Sequence, residues 1–243
     1  MQHQVVSRNE WIAARKAHLA KEKHLTRLRD RLSAERRALP WMRVDKTYVL
    51  DGPQGRETLG DLFDGRSQLI VQHFMFGPDW EVGCVGCSFM ADHIESTLPH
   101  LEHHNVSFVR ISRAPLAKLE AYRRRMGWRS KWLSSLDTDF NYDFNVSFRP
   151  EEIDKGKVYY NYELSDFECE EMHGTSVFTR NGQGEIFHTY STYGRGDELV
   201  MATYALLDIT PEGRNETSGL TDWVRRHDEY DEAKPSRSCH AAE

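Results

Sequence analysis

The chain has 243 residues, which suits one elaborated domain or a domain with an extension and is enough to bury a core without disulfide staples. Apolar residues make up 39% and the net charge is −6, a balance that favours a globular chain and gives no basic footprint for a nucleic-acid partner. The most apolar stretch, around Leu69-Ile70-Val71, is interrupted by Gln72 and His73 before Phe76, far short of the roughly 18 apolar residues that would span a bilayer, so no membrane partner is expected either.

Ser7-Arg8-Asn9-Glu10 has the pattern of a capping box. No Gly or Pro follows until Pro40, and Ala, Leu, Lys, Arg and Glu dominate, so one long helix is predicted. Trp11, His18, Leu25, Leu32 and Leu39 recur every seven residues with Leu28 between them, a narrow apolar seam on a charged helix. The seam serves either packing on its own domain or a dimer contact; a strict coiled coil needs more apolar positions.

From residue 41 the texture changes. Lys46–Leu50 reads as a short strand, Asp51–Gly55 as a turn, and Thr58–Phe63 as a helical turn ended by Asp64-Gly65. Gln68–Phe76 is a strand apolar enough for burial on both faces. A loop over 77–83 leads into a helix predicted from Cys84 to about His104, then a strand over Val106–Ser112 and a helix from Pro115 to near Gly127. Lys131–Leu136 reads as a strand and the surroundings of Tyr142 as a short helix, with an insertion around 140–170. Thr175–Thr179 and Glu185–Tyr190 flank a Gly/Asn turn and make a hairpin. Gly196–Leu207 is a last helix, and the polar tail from about Glu229 is expected to lack structure.

This order predicts an α/β fold: a mixed sheet flanked by helices, with an N-terminal helical arm over 1–42, a main domain over 43–210 and a C-terminal extension over 211–243. Residues 1–10 lack the apolar stretch of a signal peptide, so a cytoplasmic protein with reduced thiols is expected.

Four cysteines occur: Cys84, Cys87, Cys169 and Cys239. Cys84-Val85-Gly86-Cys87 follows a buried strand and opens a helix. A thiolate there faces unpaired amides and the positive end of the helix dipole, which favours the charged form. Cys87, one turn on, is placed to attack a mixed disulfide on Cys84. The pair therefore reads as nucleophile and resolving thiol.

Around this pair, Tyr48-Val-Leu-Asp-Gly52, Thr58-Leu-Gly-Asp-Leu-Phe-Asp-Gly65 and Phe74-Met-Phe-Gly-Pro-Asp-Trp80 resemble the thioredoxin superfamily, nearer its peroxiredoxin-like branch (the alkyl hydroperoxide reductase and thiol-specific antioxidant proteins). From about Ser7 to Gly213 the chain more closely resembles a bacterial thioredoxin-like family catalogued as a domain of unknown function. The segments that carry this are Ser33-Ala-Glu-Arg-Arg-Ala-Leu-Pro-Trp41, His73-Phe-Met-Phe-Gly-Pro-Asp-Trp80, Asp139-Phe-Asn-Tyr-Asp-Phe144 and Phe187-His-Thr-Tyr-Ser-Thr-Tyr193. The resemblance implies a thioredoxin-like fold and supplies no substrate. It also sets two departures in relief. Thioredoxins carry a proline before the strand facing the pair, whereas Met172-His-Gly-Thr-Ser-Val177 has none. Peroxiredoxins carry a threonine shortly before the nucleophile, whereas Trp80-Glu-Val-Gly83 has none.

Five further residues are candidates for a substrate groove: Trp80 as a wall, Glu81 for proton transfer, Arg113 for an anionic group at the carboxyl end of the sheet, and Gly174 and Thr175 in the segment opposite the pair. Their plain alternatives are a covering aromatic, solvated charges and strand backbone. Cys169-Glu-Glu-Met-His173, joined to Cys84 and Cys87, would form a Cys3His set suited to tetrahedral zinc, against the reading of a chance Cys and a surface His. His103 and His104, adjacent on a helix, point about 100° apart and do not share a metal readily. Asp137, Asp139 and Asp143 read as caps and turns. The aromatics from Phe140 to Tyr162 read as core or interface.

No Gly-x-Gly-x-x-Gly fingerprint occurs, so no cofactor is expected, and electrons are expected from a small thiol or a partner protein. The sequence thus supports a thiol–disulfide oxidoreductase acting through Cys84 and Cys87. Its alternatives are a thiol peroxidase and a non-catalytic metal-binding or scaffold protein, and a homodimer is expected in each case.

Overall fold

Ser7 opens the first helix as its sequence requires. Its hydroxyl accepts the Glu10 N–H at 3.4 Å, and the Glu10 carboxylate accepts the Ser7 N–H at 2.9 Å, so two otherwise orphaned donors are satisfied. Helix α1 (Arg8–Arg37) runs 30 residues from this cap. The computed structural model describes residues 3–166, 169–219 and 221–230; the expected unstructured end of the tail, with Cys239, lies outside them. By backbone contacts the chain forms two units, Met1–Trp41 and Met42–Glu243. In the first, no residue of α1 is buried, and the seam residues Trp11 and Leu25 stand 60% and 48% exposed.

The second unit begins with β1 (Met42–Arg43), β2 (Val49–Gly52), β3 (Gly55–Thr58) and β4 (Gln68–His73). After β4 come α2 (Val85–Glu95), α3 (Leu98–His103), β5 (Val106–Ser112), α4 (Leu116–Arg125) and β6 (Lys131–Ser134). Next are α5 (Phe140–Asp143), α6 (Pro150–Ile153), and the small hairpin β7 (Val158–Tyr160) with β8 (Glu163–Ser165). The long hairpin β9 (Gly174–Arg180) and β10 (Ile186–Thr192) leads to a 3-10 helix, Gly194–Val200, and α7 (Ala202–Leu207).

Eight strands form one sheet in the order β1-β10-β9-β4-β5-β6-β2-β3. β4, β5 and β6 run parallel, and β9 runs antiparallel to β4 with Gly174 opposite His73 and Thr175 opposite Gln72. The central four-strand order β5-β4-β9-β10, with helices after β4, β5 and β10, is the thioredoxin-like arrangement; β6, the β2–β3 hairpin and the insertion elaborate it. β5 (VSFVRIS) is buried along its whole length, as a central parallel strand requires. On one face Leu69, Val71, Val109, Ile111 and Phe178 pack with Leu62, Phe63 and Phe140. On the other, Ile70 and Phe108 pack with Met90, Ile94 and Leu98 of α2 and α3, and Trp132 packs with Leu119 and Tyr122 of α4.

Several boundaries differ from the sequence reading. The helix predicted over 84–104 is two, because Pro99 lacks an N–H for the ladder and restricts the residue before it; the chain turns at Ser96-Thr97 and restarts. The first hairpin strand is Val49–Gly52, with Gly52 paired to Gly55, so only Pro53 and Gln54 make the turn. The segment predicted as one helix over 196–207 is a 3-10 helix followed by α7, with a break at Met201. The ladder of β4 stops at His73, but the chain stays extended: Phe74 N–H donates to Ile111 O at 3.0 Å, and Phe76 O accepts Ala114 N–H at 2.8 Å. That extension carries the chain to the carboxyl edge of the sheet, where the cysteines lie.

Candidate active site

Cys84 is the N-cap of α2, half-buried, with its sulfur accepting the Cys87 N–H at 3.5 Å. The helix end thus presents a donor to this thiol, the geometry that favours a thiolate. Cys84 N–H donates to Met75 O at 3.0 Å, which closes the 75–84 loop over the strand end. Ser88 follows one turn down, its N–H and its hydroxyl both bonded to Cys84 O, and its oxygen also lies 2.9 Å from Tyr122 Oη. Beside the thiol stands Gly86, where even an added Cβ would stay 3.9 Å from the Cys84 sulfur.

Cys87 is only 5% exposed. Its sulfur accepts Met75 N–H at 3.5 Å and its carbonyl accepts Gln72 Nε2 at 3.2 Å. Burial pushes the Cys87 thiol well above its ordinary pKa, the adjacent Cys84 sulfur pushes the same way, and the Met75 amide offsets a little. The two thiols are therefore unlike: one at the mouth of a helix, one beneath it and protonated.

The floor under Cys87 is polar. Gln72 and Thr175 are register partners on the helix-facing side of the sheet, and the 3-10 helix packs on both α2 and β9. From it Asp197, 3% exposed, adds a carboxyl whose field reaches Cys87 and Tyr160. Burial raises its pKa to about 7, with the Thr175 hydroxyl offsetting part of the rise. Neither Asp197 Oδ2 nor Thr175 Oγ1 has a hydrogen bond of good geometry among the described residues. Tyr160 completes this side, its hydroxyl donating to His173 O at 2.8 Å and accepting Gly194 N–H at 3.2 Å.

The other sequence candidates divide. Trp80 packs on the aromatic cluster beside Cys84, its ring lying across Gly77; a Cβ at Gly77 would stand 2.9 Å from its Nε1, so glycine is what lets the ring lie there. Glu81 turns to solvent, its side chain 91% exposed and 4.0 Å from Lys118 Nζ. Arg113 binds Glu171 at 2.7 Å, and Ser147 donates to the other Glu171 oxygen at 2.6 Å. Burial raises Glu171 to about 7, and Ser147 and Arg113 hold it down in part. The charge of Arg113 is thus committed to a buried carboxylate, against the sequence reading of a cation awaiting substrate. Gly174 is pressed by the Tyr193 ring, and Thr175 enters the floor described above.

The four-ligand metal set does not assemble. Cys169 donates to Glu171 O at 3.2 Å, and His173 Nε2 lies 3.4 Å from Gly194 O. Among the described residues no group of three or more His, Cys, Asp or Glu is placed to hold a metal ion. Sequence reasoning passed over Asp197 and Lys118. Asp197 had no signal, since its neighbours predict an exposed helix start. Lys118, which donates to Pro78 O and Trp80 O at 3.1 Å each, is one basic residue among several on α4.

Residues 1–230 match the model of a family described as bacterial protein of unknown function (DUF899), and the chain belongs to that family. No curated protein matches it. Among solved structures it is similar to the peroxidoxin BcpB from Mycobacterium tuberculosis, at 15% identity and a TM-score of 0.48, covering 68% of this chain and 95% of that one. It is also similar to peroxiredoxin Q from Xanthomonas campestris, at 13% identity and 0.48, covering 69% and 95%. A third is the mitochondrial 2-Cys peroxiredoxin from Plasmodium falciparum, at 12% identity and 0.40, covering 73% and 97%. Likeness at this level carries no argument about chemistry; the fold rests on the strand order above. No helix among the described residues is long and apolar enough to cross a membrane.

Proposed function

We propose that the chain is a thiol–disulfide oxidoreductase in which Cys84 attacks and Cys87 resolves. The observation that carries this is the inequality of the two sulfurs: Cys84 capping α2 with a backbone N–H at its sulfur, Cys87 buried one turn below. The Cys84 thiolate attacks one sulfur of a substrate disulfide, forming a mixed disulfide and expelling the other sulfur as a thiolate. Cys87 then gives its proton to the Asp197 carboxylate and attacks Cys84 Sγ. The second substrate thiolate leaves, and the pair is left oxidised. A small thiol or a partner protein returns two electrons to reset it, which suits the cytoplasm. Asp197 is the buried carboxyl that the 3-10 helix, packed on α2 and β9, brings within electrostatic reach of Cys87, directly or through one water a candidate acceptor for that proton.

Replacing Cys87 by serine tests the assignment. Cys87→Ser accumulates a mixed disulfide with a small disulfide probe such as cystamine, while Cys84→Ser forms none; equal labelling of both variants, read by intact mass, refutes the assignment. Peroxide consumption by the reduced protein would instead assign the peroxidase chemistry, with a sulfenic acid at Cys84.

The proposal includes a homodimer made by exchange of α1. Its seam is exposed, and it carries ten Lys or Arg against four Asp or Glu, while the rest of the chain has 22 against 34. Two such basic helices repel each other, whereas each is attracted to the acidic remainder of a second copy.

A further inference from the structure

The segment 221–230, from the region read in sequence as an extension, lies across α2 and α4. Val224 is fully buried with Phe89 and Tyr204. Asp228 takes a two-pronged bond from Arg125 at 2.7 and 3.0 Å, and His227 Nδ1 lies 2.7 Å from Asp92. From this anchored strap Arg226, its side chain 12% exposed, reaches back 143 residues in sequence. Its Nη2 donates to Gly83 O at 2.6 Å and its Nε to Tyr122 Oη at 2.6 Å. Gly83 O belongs to the peptide unit whose N–H is that of Cys84, and that N–H is itself bound to Met75 O. The peptide before the nucleophile is therefore fixed at both ends, one end by a guanidinium. The contact with Tyr122 adds a second hold, since Tyr122 meets Ser88, which bonds Cys84 O.

We propose that Arg226 is a positioning residue for Cys84: it locks the Gly83–Cys84 peptide and supplies the fixed cation that favours the Cys84 thiolate. The proposal rests on the reading of Cys84 as the attacking thiol and deepens it. A permanent charge is needed because the other charges around the site leave little net positive field. On α2 itself Cys87 is neutral. In the loop, Glu81 and Lys118 of α4 face each other, and Lys118 holds two loop carbonyls. Arg125 lies over the Tyr122 ring at 5.7 Å with its charge bound to Asp228 and Glu229. Asp197, from the 3-10 helix, works against a thiolate. Glu229 contacts Arg226 at 3.1 Å, yet two of the three guanidinium nitrogens serve the neutral oxygens of Gly83 and Tyr122. The helix end and Arg226 then act together on one sulfur.

The test is the ultraviolet thiolate titration of full-length protein, Arg226→Gln and Arg226→Lys, each corrected by subtracting the same protein carrying Cys84→Ser. Val224 and the Asp228 pair keep the strap seated in both variants, which a thermal melt checks. Arg226→Gln is expected to raise the Cys84 transition by about one pH unit, a roughly tenfold loss of thiolate at neutral pH, while Arg226→Lys retains most of the wild-type value. An unchanged transition in Arg226→Gln, or an equal rise in both variants, overturns the assignment. The wild-type value judges a separate matter: a transition at the free-thiol value of about 8.5 counts against Cys84 as the attacking thiol, whatever the difference between variants.

Discussion

Asp197→Asn isolates the charge beneath Cys87. In the folded protein the carboxyl titrates near 7, against 3.8 for an exposed aspartate, because burial disfavours the ionised form. A raised folded pKa means that the native state holds a proton which the unfolded chain has released. The resulting stability is fully present below about pH 3.8 and is lost as pH rises through 7. Three pH units at about 1.4 kcal/mol each put that loss near 4 kcal/mol. Asparagine keeps the shape and never ionises. The stability difference, variant minus wild type, should therefore grow from its acid baseline by about 4 kcal/mol between roughly pH 4 and pH 8. Urea unfolding across that range measures it. Glu171, also raised to about 7, gives wild type and variant the same trend, and the buried His73, lowered to about 3, gives both the opposite one, so both cancel in the difference. A difference that stays flat with pH would mean that Asp197 is hydrated or paired in solution, and would remove it as the proton acceptor for Cys87.

Two other outcomes are expected. Gly174→Ala would put a methyl group 2.5 Å from Tyr193 Cδ1 and 3.2 Å from Thr192 O. The ring must move or β9 must shift, at a cost of about 1–3 kcal/mol, and a urea midpoint unchanged from wild type would contradict the close approach. For the arm, light scattering at micromolar concentration should give twice the chain mass at low salt and fall toward one chain as salt screens the basic helix; a single-chain mass at low salt removes the dimer.

The fold was legible wherever a segment's own chemistry decided its state. Ser7 and Glu10 fix the start of α1 without help from the rest of the chain, and Val106–Ser112 is apolar enough to be a central strand in any arrangement. The errors fall where partners decide. Gly52 reads as turn because it is glycine, yet its pairing with Gly55 makes it strand. Gly196–Leu207 has ordinary helical composition, but its first turns wind as a 3-10 helix, and Asp197 among them is buried. Pro99 was a readable signal, since a proline inside a predicted helix marks a boundary.

The site divides the same way, with a consequence for its chemistry. The Cys pair announces itself because two sulfurs one helical turn apart are three residues apart in sequence, a spacing that can be read without the fold. What makes the sulfurs unlike comes from elsewhere: Met75 and Gln72 from β4 and its extension, Asp197 from the segment after β10, Arg226 from the strap beyond α7. None has a local pattern, because a charge acts through distance in space. Arg113 shows the converse. By position it looked available at the end of β5, and Glu171, from the far side of the insertion, engages it at 2.7 Å. Which charges remain active around these thiols is thus decided by long-range pairing. If that is right, substitution at Arg226 should act first on Cys84 and substitution at Asp197 first on Cys87, and each change should be felt in part by the other thiol, since the two sulfurs interact.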